Sequence, residues 1–413
     1  MQDVELYGQI LGLSSPWTVD RVELDVSAQR VDVCVEHAAE ARWCCPHCER
    51  ELPVYDHSEE RSWRHLDTCQ FQTFLRARLP RVECPEHGVV QVPAAWAEPR
   101  GRFTMLFERF AIDVLLQCQT VQGACRLLSI SWDQARAIMD RAVERGQARK
   151  QALPVSQIGV DEKAFRKGQD YMTVVCDLER GGVEFVTEDR TKDSLHRYFS
   201  SRTDEQMRAF EAIAMDMWEP YVQATLEAVP LAHHKIVFDR FHIMQHMTEA
   251  VDDVRKAEHR ALSKEGDESL KGTKYLWLTS QENLSERRRE ELASLPVTIL
   301  KTGRAWAIKE TLRDLWHHTS VGAARRFFEG WYSWAIRSRL EPVKDVARMI
   351  QRRVENVVNY CRHWITNAVS EGLNSKIMSI KRRAGGFRNP DSFKTAIAAV
   401  WTCTHAKAGW TPR

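Results

Sequence analysis

Gln157-Ile-Gly-Val-Asp161 and Ala212-Ile-Ala-Met-Asp216-Met217 are short apolar runs that each carry an aspartate. Both read as strands, because brief continuous apolar runs suit a pleated element covered on both faces. Asp161 is expected to end its strand and Asp216 to sit inside the other. A carboxylate in such surroundings is costly to ionise unless something positive compensates it. One aspartate alone most often bonds nearby backbone, so the reading turns on whether the two strands meet.

The text around them says that they do. Tyr171-Met-Thr-Val-Val-Cys-Asp177 and Gly182-Val-Glu-Phe-Val186 follow as two further strands after short polar or Gly-containing turns. A helix is expected over 194–210, another over 221–228, and a last strand at Lys235-Ile-Val-Phe-Asp239. Three antiparallel strands, then helix, strand, helix, strand, is the chain order of the ribonuclease H-like fold. In that fold the strands of Asp161 and Asp216 are neighbours, and a divalent cation resolves the repulsion of their carboxylates.

From 241 to about 361 the text is almost entirely helical and rich in ion pairs, as in Val251-Asp-Asp-Val-Arg-Lys-Ala-Glu-His-Arg260. It reads as an all-α insertion rather than part of the sheet. Beyond it stands Asn367-Ala-Val-Ser-Glu371-Gly-Leu-Asn374-Ser-Lys376. At helical spacing Glu371 and Asn374 share a face, which makes Glu371 the candidate third acid. Lys381-Arg382-Arg383-Ala-Gly-Gly-Phe-Arg388 follows. Alone this is a solvated basic face; beside an acidic site it suits a polyanionic substrate.

Upstream, Cys44-Cys45-Pro46-His47-Cys48 and Cys84-Pro85-Glu86-His87-Gly88 form two knuckles. A two-residue gap lets Cys45 with Cys48, and Cys84 with His87, converge on one ion, giving the four N/S ligands of a closed structural zinc site. Cys44 competes with Cys45, and His47 with its neighbours. The strand-like Phe71-Gln-Thr-Phe-Leu-Arg-Ala-Arg-Leu79 between the knuckles suits a zinc ribbon. The other cysteines are scattered and read as packing residues. Thr104 reads as the cap of a helix with Leu106, Phe110, Val114 and Leu115 on one face. A short helix over Val121–Leu128 and a third opened by a Ser131/Gln134 capping box complete a helix-turn-helix pattern, with a plain helical bundle as the alternative.

The 413 residues suggest two to four domains. With 43% hydrophobic and 28% charged residues the chain is globular, and no stretch approaches the roughly 20 apolar residues of a membrane span. The opening MQDVELYGQILGLSSPW lacks a basic region before an apolar block, so an intracellular protein is expected. A net charge of +2 neither demands nor excludes nucleic acid. Eleven cysteines in such a chain argue for metal or free thiols over disulfides.

Taken together, these motifs resemble the ISL3 family of bacterial insertion-sequence transposases, DDE enzymes with a ribonuclease H-like core. The resemblance rests on the two knuckles with Trp63-Arg64-His65-Leu66-Asp67 between them, Ile130-Ser-Trp-Asp133, Gly159-Val-Asp161-Glu162-Lys163, Met215-Asp216-Met217-Trp218, Phe238-Asp239-Arg-Phe-His242 and Ser370-Glu371-Gly-Leu-Asn374-Ser-Lys376-Ile377. His87 departs from the family, which more often has cysteine there; zinc accepts either.

The resemblance implies a catalytic triad of Asp161, Asp216 and Glu371 holding two Mg²⁺ ions, with Mn²⁺ as a substitute. Asp239, His242, Asn374 and Lys376 would support it. Gln134, Arg136, Arg141, Lys381, Arg382, Arg383 and Arg388 would contact DNA. Trp306 and Trp316 read as core, with base stacking as the alternative. The implied partners are double-stranded DNA, as terminal inverted repeats and target, and further copies of the chain in a homodimer or higher oligomer; no membrane is implied. The implied location is cytoplasmic and nucleoid-associated. The expected domains are an N-terminal segment (1–36), a zinc ribbon (37–100), a helix-turn-helix domain (101–150), the first part of the core (151–242), the insertion (243–360) and the rest of the core (361–413). A DNA-binding regulator that no longer cuts, and a nuclease that only hydrolyses, are the alternatives.

Overall fold

The computed structural model describes residues 3–149, 154–165, 170–298, 300–365, 368–385, 387 and 389–405. The chain forms two compact units, one built on Met1–Arg149 and the other on Lys150–Arg382 with Gly386–Trp401. No helix among the described residues is long and apolar enough to cross a membrane.

The first unit holds seven strands: β1 (Trp17–Asp25), β2 (Arg30–His37), β3 (Arg42–Cys44), β4 (Glu51–Pro53), β5 (Asp56–Arg64), β6 (Gln72–Cys84) and β7 (Gly88–Gln91). A sheet runs β1-β2-β6-β5 with β7 on the end of β6, and β3-β4 is a separate hairpin. Val31, Val33 and Val35 of β2 and Leu75, Ala77 and Leu79 of β6 alternate into one core, as the period of a pleated strand requires. Because β2 pairs with β6 in parallel, residues before 37 belong to the same sheet as the text between the knuckles. The expected boundary at 36/37 therefore divides one sheet.

Helix Asp3–Leu11 puts Tyr7 and Leu11 into this core, and a group of three further helices follows the sheet: Met105–Gln117, Val121–Leu128 and Trp132–Arg149. Thr104 caps the first by accepting from the Phe107 N–H. Ser131 and Gln134 exchange both bonds of the capping box, at 3.1 and 2.8 Å. The buried face of the first helix is Phe107, Ala111 and Leu115, while Phe110 is exposed, one position away from the expected stripe. That helix is apolar on most sides, so its packing partners choose the face.

The Trp63–Asp67 motif ties sheet to helices. Trp63 is buried, and the buried Arg64 guanidinium lies over the rings of Phe74 and Phe107 and pairs with Asp67 at 2.7 Å. Buried His65 meets the Thr104 hydroxyl at 2.9 Å. That hydroxyl oxygen also accepts from the Phe107 N–H. Burial, and secondarily the Arg64 charge, push His65 down to about 4.

The second unit contains β8 (Gln157–Ala164), β9 (Tyr171–Asp177), β10 (Gly182–Glu188), β11 (Ala212–Met215) and β12 (Ile236–Phe238), ordered β10-β9-β8-β11-β12. β8, β9 and β10 are antiparallel; β11 runs parallel to both β8 and β12. The expected helix over 194–210 is two, Lys192–Ser200 and Asp204–Ala209, each opened by a threonine capping box. Ile158, Val160 and Val175 face a core shared with Tyr198, Phe199 and Tyr221. Val174 and Cys176 face the opposite core, with Leu373 and Ile377 of helix Ala368–Arg383.

Between β12 and that helix every described element is helical, beginning with Arg240–Lys264. Its core is continuous with that of the sheet, running from Val155 to Ile365. The helical stretch is thus built onto the sheet. Trp316 is buried within this core and Trp306 packs against it. Fully buried Lys309 closes the end of helix Lys274–Leu278, donating to the carbonyls of Trp277, Leu278 and Thr279 and pairing with Glu310.

His65 gives a pH dependence of definite sign. Its folded value lies below the ordinary 6.5, so the unfolded chain takes up the proton first as pH falls. The stabilisation is whole above about pH 6.5 and is lost by about pH 4, an effect of up to ~3 kcal/mol. Denaturant titrations of wild type and His65→Asn should therefore show a stability gap that narrows over this range. A gap independent of pH would contradict a neutral buried His65.

Candidate functional site

In the first unit, β3-β4 and β6-β7 each present one knuckle. Cys45 Sγ lies 3.8 Å from His87 Nδ1, Cys48 Sγ 3.6 Å from Cys84 Sγ, and Cys84 Sγ 3.5 Å from His87 Nδ1. Tetrahedral zinc, with bonds of about 2.3 Å to sulfur and 2.0 Å to nitrogen, sets its ligand atoms roughly 3.5–3.8 Å apart. Among the described residues this is the one His/Cys/Asp/Glu group of three or more whose ligand atoms all fall within 4.8 Å of one another. The donor set and spacing fit a structural zinc ion.

Each knuckle turns through a left-handed residue directly after its second ligand, Glu49 at φ 57° and Gly88 at φ 67°. The His87 hydrogen bond, helped by the Glu86 and His87 N–H groups, holds the Cys84 thiol down to about 6 against the cost of burial. Cys44 is exposed and outside the set, and His47 packs its ring 5.1 Å from that of His87.

In the second unit, register gathers the acids. β11 pairs with β8 through Ala212↔Gln157, Ile213↔Ile158 and Ala214↔Gly159; continued by two residues, this sets Asp216 level with Asp161. β11 pairs with β12 through Met215↔Phe238, which sets Asp239 level with Asp216. Three carboxylates thus stand in a row across three parallel strands. Each accepts a backbone N–H just ahead: Asp161 from Glu162 (2.8 Å), Asp216 from Met217 (2.6 Å) and Asp239 from Phe241 (3.1 Å). The strand ends differ from expectation. β8 continues past Asp161 to Ala164 because it stays paired with β9, whereas β11 stops at Met215 and leaves Asp216 just outside. Asp239 caps helix Arg240–Lys264.

Asp161 pairs across the sheet with Val174, so it lies on the face covered by helix Ala368–Arg383. Buried Asn374 of that helix donates its Nδ2 to Asp161 Oδ2. Glu371, one turn earlier, is exposed, and its carboxylate does not close a tight set with Asp161 and Asp216. Its field still reaches the row. Burial raises the Asp239 carboxyl, the Phe241 N–H and the charge of His242 oppose this, and the carboxylates of Glu371 and Asp161 push it further up. Among the described residues no salt bridge joins Asp161, Asp216, Asp239 or Glu371 to a cation. Among the described residues Asn374 Oδ1 is buried without a hydrogen-bond partner, while Ser370 meets the buried Cys176 thiol. Carboxylates that share no ion pair among the described residues, with an orphaned amide oxygen beside Asp161, fit a hard divalent cation.

Sequence reasoning missed one cluster here. Glu162 pairs with Arg190 at 3.3 Å, and the Arg190 guanidinium lies 4.2 and 4.6 Å from the ring centroids of Tyr171 and Trp218. The Trp218 Nε1–H donates to the Arg190 carbonyl. Burial raises the Glu162 carboxyl, as do Asp161 and Asp216, while Arg190 lowers it. The acid directly after Asp161 was its only sequence signal.

The expected DNA contacts fare unequally. The Gln134 Oε1 is committed to the cap, and Arg136 lies 3.6 Å from Asp140. Arg141, expected to face DNA, turns inward instead. It pairs with buried Glu108 at 2.5 Å, and Arg145 joins the same carboxylate, because an unpaired buried charge would cost several kcal/mol. Lys376 and Arg382 are exposed, Arg383 is half-buried, and Lys381 donates to the Ala164 carbonyl at the end of β8. Arg388 lies outside the described residues.

Comparison with known proteins agrees with this layout. Residues 158–397 match the ISL3 family model described as "Transposase". Residues 41–87 match "zinc-finger of transposase IS204/IS1001/IS1096/IS1165", and residues 90–143 match "Helix-turn-helix domain of transposase family ISL3". The chain is 26% identical to the transposase for insertion sequence element IS1557 of Mycobacterium tuberculosis over 98% of this chain and 97% of that protein. It is 25% identical to the transposase for IS1001 of Bordetella parapertussis over 86% and 88%.

Metal analysis of purified protein should find about one zinc per chain, lost in a Cys45→Ser/Cys84→Ser variant together with much of the thermal stability of the first unit. Cys44→Ser should retain it. Zinc loss from Cys44→Ser, or its retention by the double variant, would refute the ligand set.

Proposed function

Because the chain belongs to the ISL3 family of insertion-sequence transposases, we propose that it works as a DDE recombinase, binding the terminal inverted repeats of its element and cutting and joining DNA strands through Asp161, Asp216 and Glu371. The observation that carries this reading is the in-register row of carboxylates, which share no ion pair with a cation among the described residues and against which Asn374 fixes the helix of Glu371. The strand order and directions support a ribonuclease H-like core, with the helical stretch as its insertion.

Asp161, Asp216 and Glu371 would hold two Mg²⁺ ions, or Mn²⁺ in their place, which would supply positive charge for the attacking and leaving oxygens of an in-line phosphoryl displacement. The chain's own part is to aim the ligands. The amide of Asn374 orients Asp161, the Met217 N–H orients Asp216, and Asp239 with His242 shapes the field beside them. Water attacks the phosphodiester at the element end, its bond to the 3′ oxygen breaks, and a 3′-hydroxyl is released. That hydroxyl then attacks a target phosphodiester, forming one P–O bond as another breaks. No protein nucleophile is needed.

The zinc-binding sheet and helix-turn-helix would recognise the element ends. Phosphate contacts would set position, and Gln134 and Arg136 would stand nearest the bases. Lys376, Lys381, Arg382, Arg383 and Arg388 would follow the backbone. Two ends must be held together, so a dimer or higher oligomer on DNA is proposed.

Incubation with Mg²⁺ and duplexes carrying the element ends tests the reading. Joined products are expected; cuts without joining would indicate a hydrolytic nuclease, and bound but intact DNA a regulator. Asp161→Ala, Asp216→Ala and Glu371→Gln should each abolish cleavage while end binding stays close to wild type. Near-normal cutting by any of them removes that residue from the triad.

A further inference from the structure

Arg190 ties together the two chain segments that carry Asp161 and Asp216. Its guanidinium pairs at 3.3 Å with Glu162, the residue after Asp161. The same group lies 4.2 Å from the ring centroid of Tyr171 and 4.6 Å from that of Trp218, two residues after Asp216. The Trp218 Nε1–H in turn donates to the Arg190 carbonyl at 2.9 Å. One half-buried arginine thus holds Trp218 through both its side chain and its backbone. The cluster stands in the field of both carboxylates. After burial, Asp161 and Asp216 raise the Glu162 carboxyl, and Arg190 lowers it.

Strand pairing stops short of the two aspartates. The last ladder pair between β11 and β8 is Ala214↔Gly159, and β11 itself ends at Met215. Past that pair the ladder no longer fixes how far Asp216 stands from Asp161. The contacts from Glu162 through Arg190 to Trp218 span this open end. The arginine is itself firmly mounted. Asp189 turns the chain just before it in left-handed backbone, at φ 65°, which aspartate tolerates better than most residues. The Asp189 N–H donates to the Tyr171 carbonyl at 2.8 Å, and its carbonyl accepts from the Thr173 hydroxyl at 2.6 Å. The Tyr221 hydroxyl meets that of Thr173 at 2.8 Å, tying the same turn to helix Glu219–Ala228, which Trp218 opens.

An octahedral divalent cation with bonds of about 2.1 Å tolerates little error in its carboxylates, and supporting groups must hold such ligands to within about 0.5 Å. We propose that Arg190 is a positioning residue: by clamping Glu162 to Trp218 it sets the spacing of Asp161 and Asp216, and with it their affinity for a divalent cation. This rests on the metal-dependent reading above and adds a residue that acts through the two ligands rather than by contact with the ion. A cation near an acidic row could instead act by charge alone, and the two roles have opposite signs. A competing charge weakens metal binding, so its removal tightens it; a clamp strengthens binding, so its removal loosens it.

The test titrates the full-length protein, free of DNA, with Mn²⁺ and follows the electron paramagnetic resonance of the unbound ion. Asp161→Ala supplies the background from other sites. Arg190→Gln should raise the Mn²⁺ dissociation constant at the row roughly tenfold, as loss of a group supporting metal ligands does. Arg190→Lys should not restore it, because an ammonium keeps the charge without the planar contact to two rings. Trp218→Phe keeps an aromatic face and loses only the Nε1–H bond, so it should fall between Arg190→Gln and wild type. Its melting temperature should stay close to wild type, which separates placement of the acids from folding. Tighter or unchanged Mn²⁺ binding in Arg190→Gln overturns the proposal, and so does wild-type affinity in Arg190→Lys. Weakened DNA binding with Mn²⁺ affinity unmoved would make Arg190 a phosphate contact and overturn it as well. Wild type that holds no Mn²⁺ sensitive to Asp161→Ala would remove the metal-dependent reading and the clamp together; sensitive binding that the Arg190 variants leave unmoved removes the clamp alone.

Discussion

Like charges forced together by strand register are the constraint on which the second unit depends. β11 pairs with β8 on one side and β12 on the other, both in parallel, so Asp161, Asp216 and Asp239 arrive level with one another. Parallel strands bring equivalent ends to the same edge, where side chains meet without a hairpin between them. The backbone N–H groups that each carboxylate accepts relieve part of the repulsion and leave the rest. Burial first, and neighbouring carboxylates after it, raise Asp239 and the adjoining Glu162. Such a row, with no ion pair to a cation among the described residues, is the kind of site that a divalent cation fits.

The packing around the row follows from this constraint. Both faces of the sheet are covered, by helices Lys192–Ser200 and Glu219–Ala228 on one side and Ala368–Arg383 on the other, so the strands hold a common level. Asn374 bonds Asp161 across 213 residues of sequence, fixing the helix that carries Glu371. The first unit solves a different problem. Its small sheet gains rigidity from a Cys/His set suited to zinc, and from Arg64 and His65, which lock the sheet to the cap of helix Met105–Gln117. Its charged residues are used inward as much as outward, as Glu108 with Arg141 and Arg145 shows.

Local features were legible in the sequence and nonlocal ones were not. The zinc donors, the Ser131/Gln134 box and the strand runs around Asp161 and Asp216 each declare themselves within a few residues. The parallel pairing of β2 with β6 joins text some forty residues apart, so residues before 37 looked separate. Phe110 was expected inside because the helix from Met105 is apolar on most sides, and only its tertiary partners select Phe107. Arg141 looked free for DNA because Glu108 lies 33 residues away. β8 runs past Asp161 through polar Glu162 and Lys163 because ladder hydrogen bonds to β9, rather than apolar burial, extend it. The place of Glu371 was readable only as a helical face shared with Asn374, which the bond to Asp161 bears out for Asn374 alone.

Anomalous diffraction from crystals of the protein with its element end and Mn²⁺ addresses the central claim most directly. The account predicts manganese density bounded by the carboxylates of Asp161, Asp216 and Glu371, with the Glu371 side chain turned in from its exposed position. Manganese held by Asp161, Asp216 and Asp239 with Glu371 still in solvent, or no manganese at the row, would contradict it.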